Sequence, residues 1–268
     1  IDGEAAEDYS GDSVSLNAAG DRVAIGATQT GSYDINSGYT RIYEYDGTNW
    51  IQLGSHIDGE AAGDKSGYSV SMNNAGNRVA IGSLDNSADA GHTRIYEYDD
   101  TNWVQLGLDI DGEAAGDNSG ISVSLNAAGT RVAIGAFRDN INGIKSGNVR
   151  IYEYSGGSWV QLASDIGGEA AGDMSGSSVS MNDAGDRVAI GARFNDGING
   201  INSGHTRIYE YSGGSWVQLA CDIDGEAAGD YNGDSVSLNA AGDRVAIGAR
   251  LNDGNGINSG HTRIYELS

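Results

Sequence analysis

Ile1-Asp2-Gly3-Glu4-Ala5-Ala6 opens the chain, and the same six residues return at Ile57, Ile110 and Ile223, with a Gly-Gly variant at Ile166. The five starts lie 56, 53, 56 and 57 residues apart. Repeats of this length mark architectures in which each copy is one supersecondary unit that hides its apolar faces against its neighbours. The copies span 1–56, 57–109, 110–165, 166–222 and 223–268, and no shift in composition separates them. They are therefore read as one domain over 1–268.

Within the first copy, Ser13-Val14-Ser15-Leu16 alternates small polar and apolar residues, the period of a strand. Asn17-Ala18-Ala19-Gly20-Asp21 has the composition of a tight hairpin, with Gly20 supplying the positive φ that such a loop needs. Arg22 to Ala27 reads as a buried strand, Thr40 to Tyr45 as an alternating aromatic strand, and Trp50 to Leu53 as a short fourth one. Such short connections make an antiparallel meander, and no segment has a helical period. Four antiparallel strands per copy, radially repeated, give an all-β fold: a β-propeller of five four-stranded antiparallel blades. The fifth copy stops at Leu267-Ser268, so its blade is expected to lack the outer strand. That would leave the edge Thr262–Leu267 unpaired and open to self-association.

The blade sequence resembles FG-GAP repeats, the blade type of integrin-α-like propellers. The resemblance lies in Gly11 to Val14, in Val23-Ala24-Ile25-Gly26-Ala27 and in Arg41 to Tyr45. It is partial, since Ser10 stands where that pattern has Phe and Thr28 where it has Pro. Many members of that family bind calcium in an acidic hairpin between the first two strands. Here that hairpin, Asn17 to Asp21, lacks alternating aspartates, so the family's calcium site is not carried over.

All variation in length falls between the second and third strands of each copy, in loops rich in Asp, Asn and Gly. Variable loops on a rigid scaffold commonly carry binding. The candidate ligand residues are Asp34, Asn36, Asp85, Asp89, Asp139, Asn142, Asp196, Asn199, Asp253 and Asn255. A second acidic element, Asp109, Asp111 and Asp117, recurs as Asp222, Asp224 and Asp230, and its D-x-D-G start suggests calcium. Recurring arginines offer these acids a simpler partner. Arg22, Arg78, Arg131, Arg187 and Arg244 fill one slot; Arg41, Arg94, Arg150, Arg207 and Arg263 fill another. Arg–carboxylate pairs knitting blade to blade are the structural expectation. The tryptophans Trp50, Trp103, Trp159 and Trp216 are expected to pack between blades.

A formal charge of −23 disfavours nucleic acid and anionic membranes as partners. No apolar run is long enough to span a bilayer, so membrane insertion is not expected. The lone Cys221 has no partner for an internal disulfide. The chain lacks an initiator methionine and a signal peptide, as an excised segment would. Near-identical blades offer no singular catalytic constellation, and neither G-x-S-x-G nor H-E-x-x-H occurs. The sequence thus points to a non-enzymatic extracellular or cell-surface binding module, presenting its loops to a glycan or surface protein. A structural spacer without a ligand is the alternative.

Overall fold

The computed structural model describes residues 1–29, 36–85 and 89–267. Every repeat forms an antiparallel sheet. The first sheet holds β1 (Ser10–Leu16), β2 (Arg22–Ala27), β3 (Tyr39–Tyr45), β4 (Trp50–Gln52) and β5 (Ile57–Asp58). The second holds β6 (Ser66–Met72), β7 (Arg78–Ser83), β8 (His92–Tyr98), β9 (Trp103–Gln105) and β10 (Ile110–Asp111). β11 (Ser119–Leu125), β12 (Arg131–Ala136), β13 (Asn148–Ser155), β14 (Ser158–Gln161) and β15 (Ile166–Gly167) make the third. The fourth consists of β16 (Ser178–Met181), β17 (Arg187–Ala192), β18 (His205–Ser212), β19 (Ser215–Gln218) and β20 (Ile223–Asp224). The fifth has three strands, β21 (Asn232–Leu238), β22 (Arg244–Ala249) and β23 (His261–Glu266). The fold is a β-propeller of five antiparallel blades, the last without its outer strand.

The Ile-Asp pair that opens a repeat closes the preceding sheet: Ile57 pairs with Thr40 and Asp58 with Tyr39, on the edge of β3 that β4 occupies further along. A repeat therefore begins inside its neighbour's sheet, which ties successive blades covalently and by backbone hydrogen bonds.

The chain divides into two compact units, 1–132 with 153–160, and 133–152 with 161–268, and the third sheet is shared between them. In the first unit, Ala24, Ile42 and Ile57 pack with Val70, Met72, Val79, Ile81 and Tyr96 of the next blade. In the second, Ile151 and Ile166 pack with Met181, Val188 and Ile190, and a further cluster joins Ile208 to Val245 and Ile247.

Backbones approach closely where blades meet. A bulge at Gly67, whose φ is +85°, brings its carbonyl against Gly26 of the first blade. A Cβ on Gly26, Gly82 or Gly191 would lie 2.0–2.1 Å from the carbonyl oxygen of Gly67, Gly120 or Gly233. No side chain larger than hydrogen fits there. The flanking serines stitch the same junction. Ser13, Ser69 and Ser178 donate to Gly67, Gly120 and Gly233 O at 2.7–2.8 Å, while Ser15, Ser71 and Ser180 accept from Met72, Leu125 and Leu238 N at 2.9 Å. The inner strand's otherwise orphaned backbone groups are satisfied by a neighbour's hydroxyl, each bond contributing about 1 kcal/mol.

The arginine and tryptophan slots work between blades, with one correction. Arg22, Arg78, Arg131 and Arg187 pair with Glu44, Glu97, Glu153 and Glu210, the cross-strand carboxylates of their own blades. Their reach to the next blade is to backbone: Arg22, Arg78 and Arg187 donate to Gly76, Gly129 and Gly242 O at 3.0–3.1 Å. Arg94 and Arg207 donate to Asp58 and Gly167 O, which belong to the preceding sheet. Trp103, Trp159 and Trp216 donate from Nε1 to Leu53, Leu106 and Leu162 O of the preceding blade.

Gly82→Ala is expected to cost about 3 kcal/mol, since the new methyl collides with backbone that cannot retreat. Gly116→Ala, at positive φ but facing open space, should cost only about 1 kcal/mol. Urea midpoints of the two variants check this; equal shifts would show that the glycine contact does not hold the blades.

Candidate functional site

The loop residues singled out from sequence are mostly engaged in shaping their own loops. Asp139, Asp196 and Asp253 accept from the backbone N–H of Ile141, Asn202 and Asn258 at 2.7–2.9 Å. Asn142 and Asn199 pin their loops to the next repeat by donating to Gly168 and Gly225 O. The Asn255 backbone N–H donates to Ser259. Asp85 pairs with Lys65 at 2.6 Å. Asn36 and Asp89 hold positive φ and accept through their carbonyls from Lys65 and Asn118 N. Asp34 lies outside the described residues.

The second acidic set splits into three roles. Asp117 and Asp230 are buried and accept from Ala114 and Ala227 N, capping the Glu-Ala-Ala turn as Asp8, Asp64 and Asp173 do in the other repeats. Asp109 accepts from Gln105 Nε2 at 2.6 Å, and Asp111 is exposed. Asp222 and Asp224 line a cavity.

That cavity, about 410 Å³, lies in the fourth blade, within the second unit. Three distant segments build it: the entry turn supplies Glu169 and Asp173, the loop after β17 supplies Asn195 and Asp196, and the strand β20 and its approach supply Asp222 and Asp224. His205, the first residue of β18, lies against two of these acids, with Nδ1 3.8 Å from Glu169 Oε2 and 3.7 Å from Asp222 Oδ2. Among the described residues, Glu169, His205 and Asp222 form the one trio of ligand-type side chains whose atoms all lie within 4.8 Å of one another. Asn195 adds a second signal. It is 7% exposed, and its Oδ1 has no hydrogen-bond partner. Asp224 Oδ1, Ser203 Oγ and Asn195 Oδ1 converge on the Cα of Gly197, where a Cβ would stand 2.9–3.2 Å from all three.

The electrostatics follow from burial. His205 is 1% exposed, and burial, reinforced by Arg207, pushes its pKa down to about 4 against the pull of Asp222 and Asp173. It is a neutral imidazole at pH 7. Burial raises the Glu169 carboxyl above its ordinary value, opposed by Arg207 and helped by Asp222, Asp173 and Asp224. Asp224 is raised by burial and by Asp222 beside it. Carboxylates crowded this way favour a bound proton or a cation.

The corresponding positions in the other blades differ. In the third, Asn148 replaces the histidine and donates to Asp165 at 2.8 Å, closing the gap. In the first, Tyr39 occupies the position and donates to Asp8. In the fifth, Asn252 donates to Asp230, and its Oδ1 accepts from Gly254 N, so it has the partner that Asn195 lacks. Sequence reasoning missed His205 and Glu169 because each belongs to a repeated slot; the signal was the combination of His205 with the longer loop carrying Asn195.

His92 is the second blade's equivalent of His205, also buried, with its pKa lowered by burial and by Arg94 against Asp109, Asp64 and Glu60. A histidine whose folded pKa lies below the unfolded value of about 6.5 binds its proton more readily in the unfolded chain. Stability should therefore rise with pH through this range and fall as pH drops below about 6.5. His92→Asn, the third blade's own choice, should remove up to about 1.4 kcal/mol per pH unit of that dependence. Urea unfolding between pH 4.5 and 8 checks this; an unchanged slope would place His92 in contact with solvent.

No family model matches the chain, and no curated protein does. Solved structures do. A Bacteroides uniformis protein assigned provisionally as a 6-phosphogluconolactonase matches with TM-score 0.65 at 11% identity, over 96% of this chain and 68% of its own. The periplasmic gluconolactonase PpgL of Pseudomonas aeruginosa matches with TM-score 0.60 at 13% identity, over 88% of this chain and 64% of its own. The β-propeller domain of the trilobed protease from Pyrococcus furiosus, which has an open velcro topology, matches with TM-score 0.53 at 13% identity, over 95% and 68%. The chain thus spans about two thirds of each of these propellers. At such identities the likeness establishes the propeller fold and leaves the FG-GAP assignment unsupported beyond it. It also overturns the expectation of a non-enzymatic adhesion module or spacer: two of these propellers carry lactonase names. The argument that near-identical blades hold no singular cluster fails at Glu169, His205 and Asp222.

Proposed function

We propose that the chain is a hydrolase of small hydroxylated lactones, acting at the fourth-blade cavity with a divalent cation. The observation that carries this reading is the convergence of Glu169, His205 and Asp222 beside a cavity that Asn195, with its unpartnered Oδ1, also lines. The lactonase names among the matched propellers support the reaction class. Asp222, Asp224 and Asn195 supply the oxygen ligands that calcium and similar ions prefer. A cation there would polarise the lactone carbonyl, which no positively charged side chain lining the cavity can do.

Glu169 acts as the general base. Burial raises its carboxyl above the ordinary value, which makes it a better proton acceptor than a free glutamate. It removes a proton from the attacking water as the new C–O bond forms, and returns it to the ring oxygen as the acyl C–O bond breaks. Water and lactone are consumed and a hydroxy acid is formed. His205, neutral and buried, spaces Glu169 from Asp222 and so leaves room for water between them.

Location and kinship belong to the same reading. A site outside the cytoplasm, extracellular or periplasmic, agrees with the periplasmic lactonase among the matches. Among the described residues no helix is long and apolar enough to cross a membrane. Kinship with FG-GAP repeats rests on the Gly11–Val14 and Val23–Ala27 segments.

Acid release from glucono-1,5-lactone in a pH-stat tests the proposal. The protein with calcium should exceed the spontaneous rate, EDTA should abolish the excess, and Glu169→Gln should lower kcat about 100-fold or more. A rate equal to the spontaneous one, with calcium, magnesium, manganese or zinc, would refute it.

A further inference from the structure

The loops after β12, β17 and β22 occupy the same place in their blades and share one frame. Each begins with an Asp or Asn, whose carbonyl closes the loop: Asp139, Asn195 and Asn252 O accept from Gly147, Gly204 and Gly260 N at 2.9–3.0 Å. Each ends on a serine, Ser146, Ser203 or Ser259. In the third blade the frame satisfies itself. Ile141 N donates to Asp139 Oδ1 at 2.7 Å, and Asn142 N donates to Ser146 Oγ at 3.1 Å. The fifth does the same, with Gly254 N donating to Asn252 Oδ1 at 2.9 Å and Asn255 N to Ser259 Oγ at 3.2 Å.

The fourth blade's loop has one residue more. Asn195 and Asn199 stand four positions apart, where Asp139 and Asn142, or Asn252 and Asn255, stand three apart. Asn199 still donates to Gly225 O, as Asn142 does to Gly168 O, so the added length is taken up at Asp196-Gly197-Ile198. Both internal bonds are lost. Asn195 Oδ1 and Ser203 Oγ have no hydrogen-bond partner, although their residues are only 7% and 0% exposed. With Asp224 Oδ1 they stand 2.9–3.2 Å from the point that a Cβ on Gly197 would occupy. The third blade has Gly167 in place of Asp224, so it lacks the acid as well as the free acceptors. Buried acceptors are normally satisfied, and an amide, a hydroxyl and a carboxylate oxygen gathered about one point suit a positive centre.

We propose that the extra residue turns a self-satisfied loop into a seat for a hard divalent cation of the calcium type, held by Asn195 Oδ1, Ser203 Oγ and Asp224 Oδ1. This rests on the reading that the fourth-blade cavity takes a cation, and it fixes where the ion sits and which class of ion is taken. A seat of oxygens alone favours calcium over zinc, whereas the neighbouring trio of Glu169, His205 and Asp222 offers an imidazole and would favour zinc. Asp222 is also tied through Oδ1 to Gln218 at 2.7 Å. With the ion at Asn195, Ser203 and Asp224, Glu169 stays clear of metal and keeps its lone pair for a proton. Calcium takes roughly six to eight oxygens, so these three leave positions for water and for the lactone.

Calorimetric titration of the whole chain with calcium chloride tests this, in about 150 mM KCl to screen the acidic surface. One ion should bind, with a dissociation constant on the order of 0.1–1 mM, the range of sparsely charged calcium sites. Ser203→Ala removes neither a charge nor a hydrogen bond, yet it should weaken binding about tenfold. Removing Gly197, which restores the third blade's spacing, should abolish binding with circular dichroism unchanged; Ser203→Ala decides the matter alone if the shortened chain does not fold. Equal affinity in the unmodified chain and Ser203→Ala would assign the ion to the acidic surface at large and overturn the proposal. So would the absence of calcium binding, or tighter binding of zinc that His205→Asn removes. Calcium binding with these losses but without lactone hydrolysis would sustain this seat and sink the lactonase reading alone.

Discussion

The structure depends on a backbone contact between glycines. One blade must bring a carbonyl to within about 2 Å of where its neighbour's Cβ would be, which only glycine allows. That closeness lets serine hydroxyls reach across and satisfy the inner strands, and it sets the depth at which Val and Leu side chains meet the neighbouring isoleucines. The arginine and tryptophan slots hold the same junction further out, by donating to carbonyls of the adjoining blade. The repeat is thus best understood as a junction repeated, with strands between.

Much of this was legible in the sequence. The alternation in Ser13–Leu16, the hairpin at Asn17–Asp21 and the aromatic strand ending at Tyr45 all form as their periodicity implies. The serines were legible only as small residues, because their hydrogen bonds depend on a neighbour's register that one repeat does not encode. The two-residue Ile-Asp opening carries no period of its own, so its pairing with β3 is a tertiary event. Of the two arginine slots, Arg41, Arg94 and Arg207 do pair with the recurring glutamates Glu4, Glu60 and Glu169, whereas the pairing register gives Arg22 and Arg78 glutamates directly opposite on their own sheet.

Function was least legible, and for a physical reason. Repeated motifs direct attention to what the copies share, while chemistry depends on where one copy departs. The third blade fills its gap with Asn148, and the fifth satisfies Asn252 within its own loop. The fourth combines His205, which leaves Asp222 Oδ2 at 3.7 Å, with an Asn195 whose oxygen has no partner. Small differences at two positions convert a structural motif into a cavity with crowded acids. The loop aspartates that looked most like ligands instead make the turns that hold this cavity open.

The central claim is that the fourth blade alone among its equivalents is built to hold a cation. Anomalous scattering from crystals grown with manganese, an oxygen-seeking stand-in for calcium, addresses it directly. A peak among Asp222, Asp224 and Asn195, with none at the matching position beside Asn148, is the expected result. Equal peaks at both positions, or none in the fourth-blade cavity, would contradict the account.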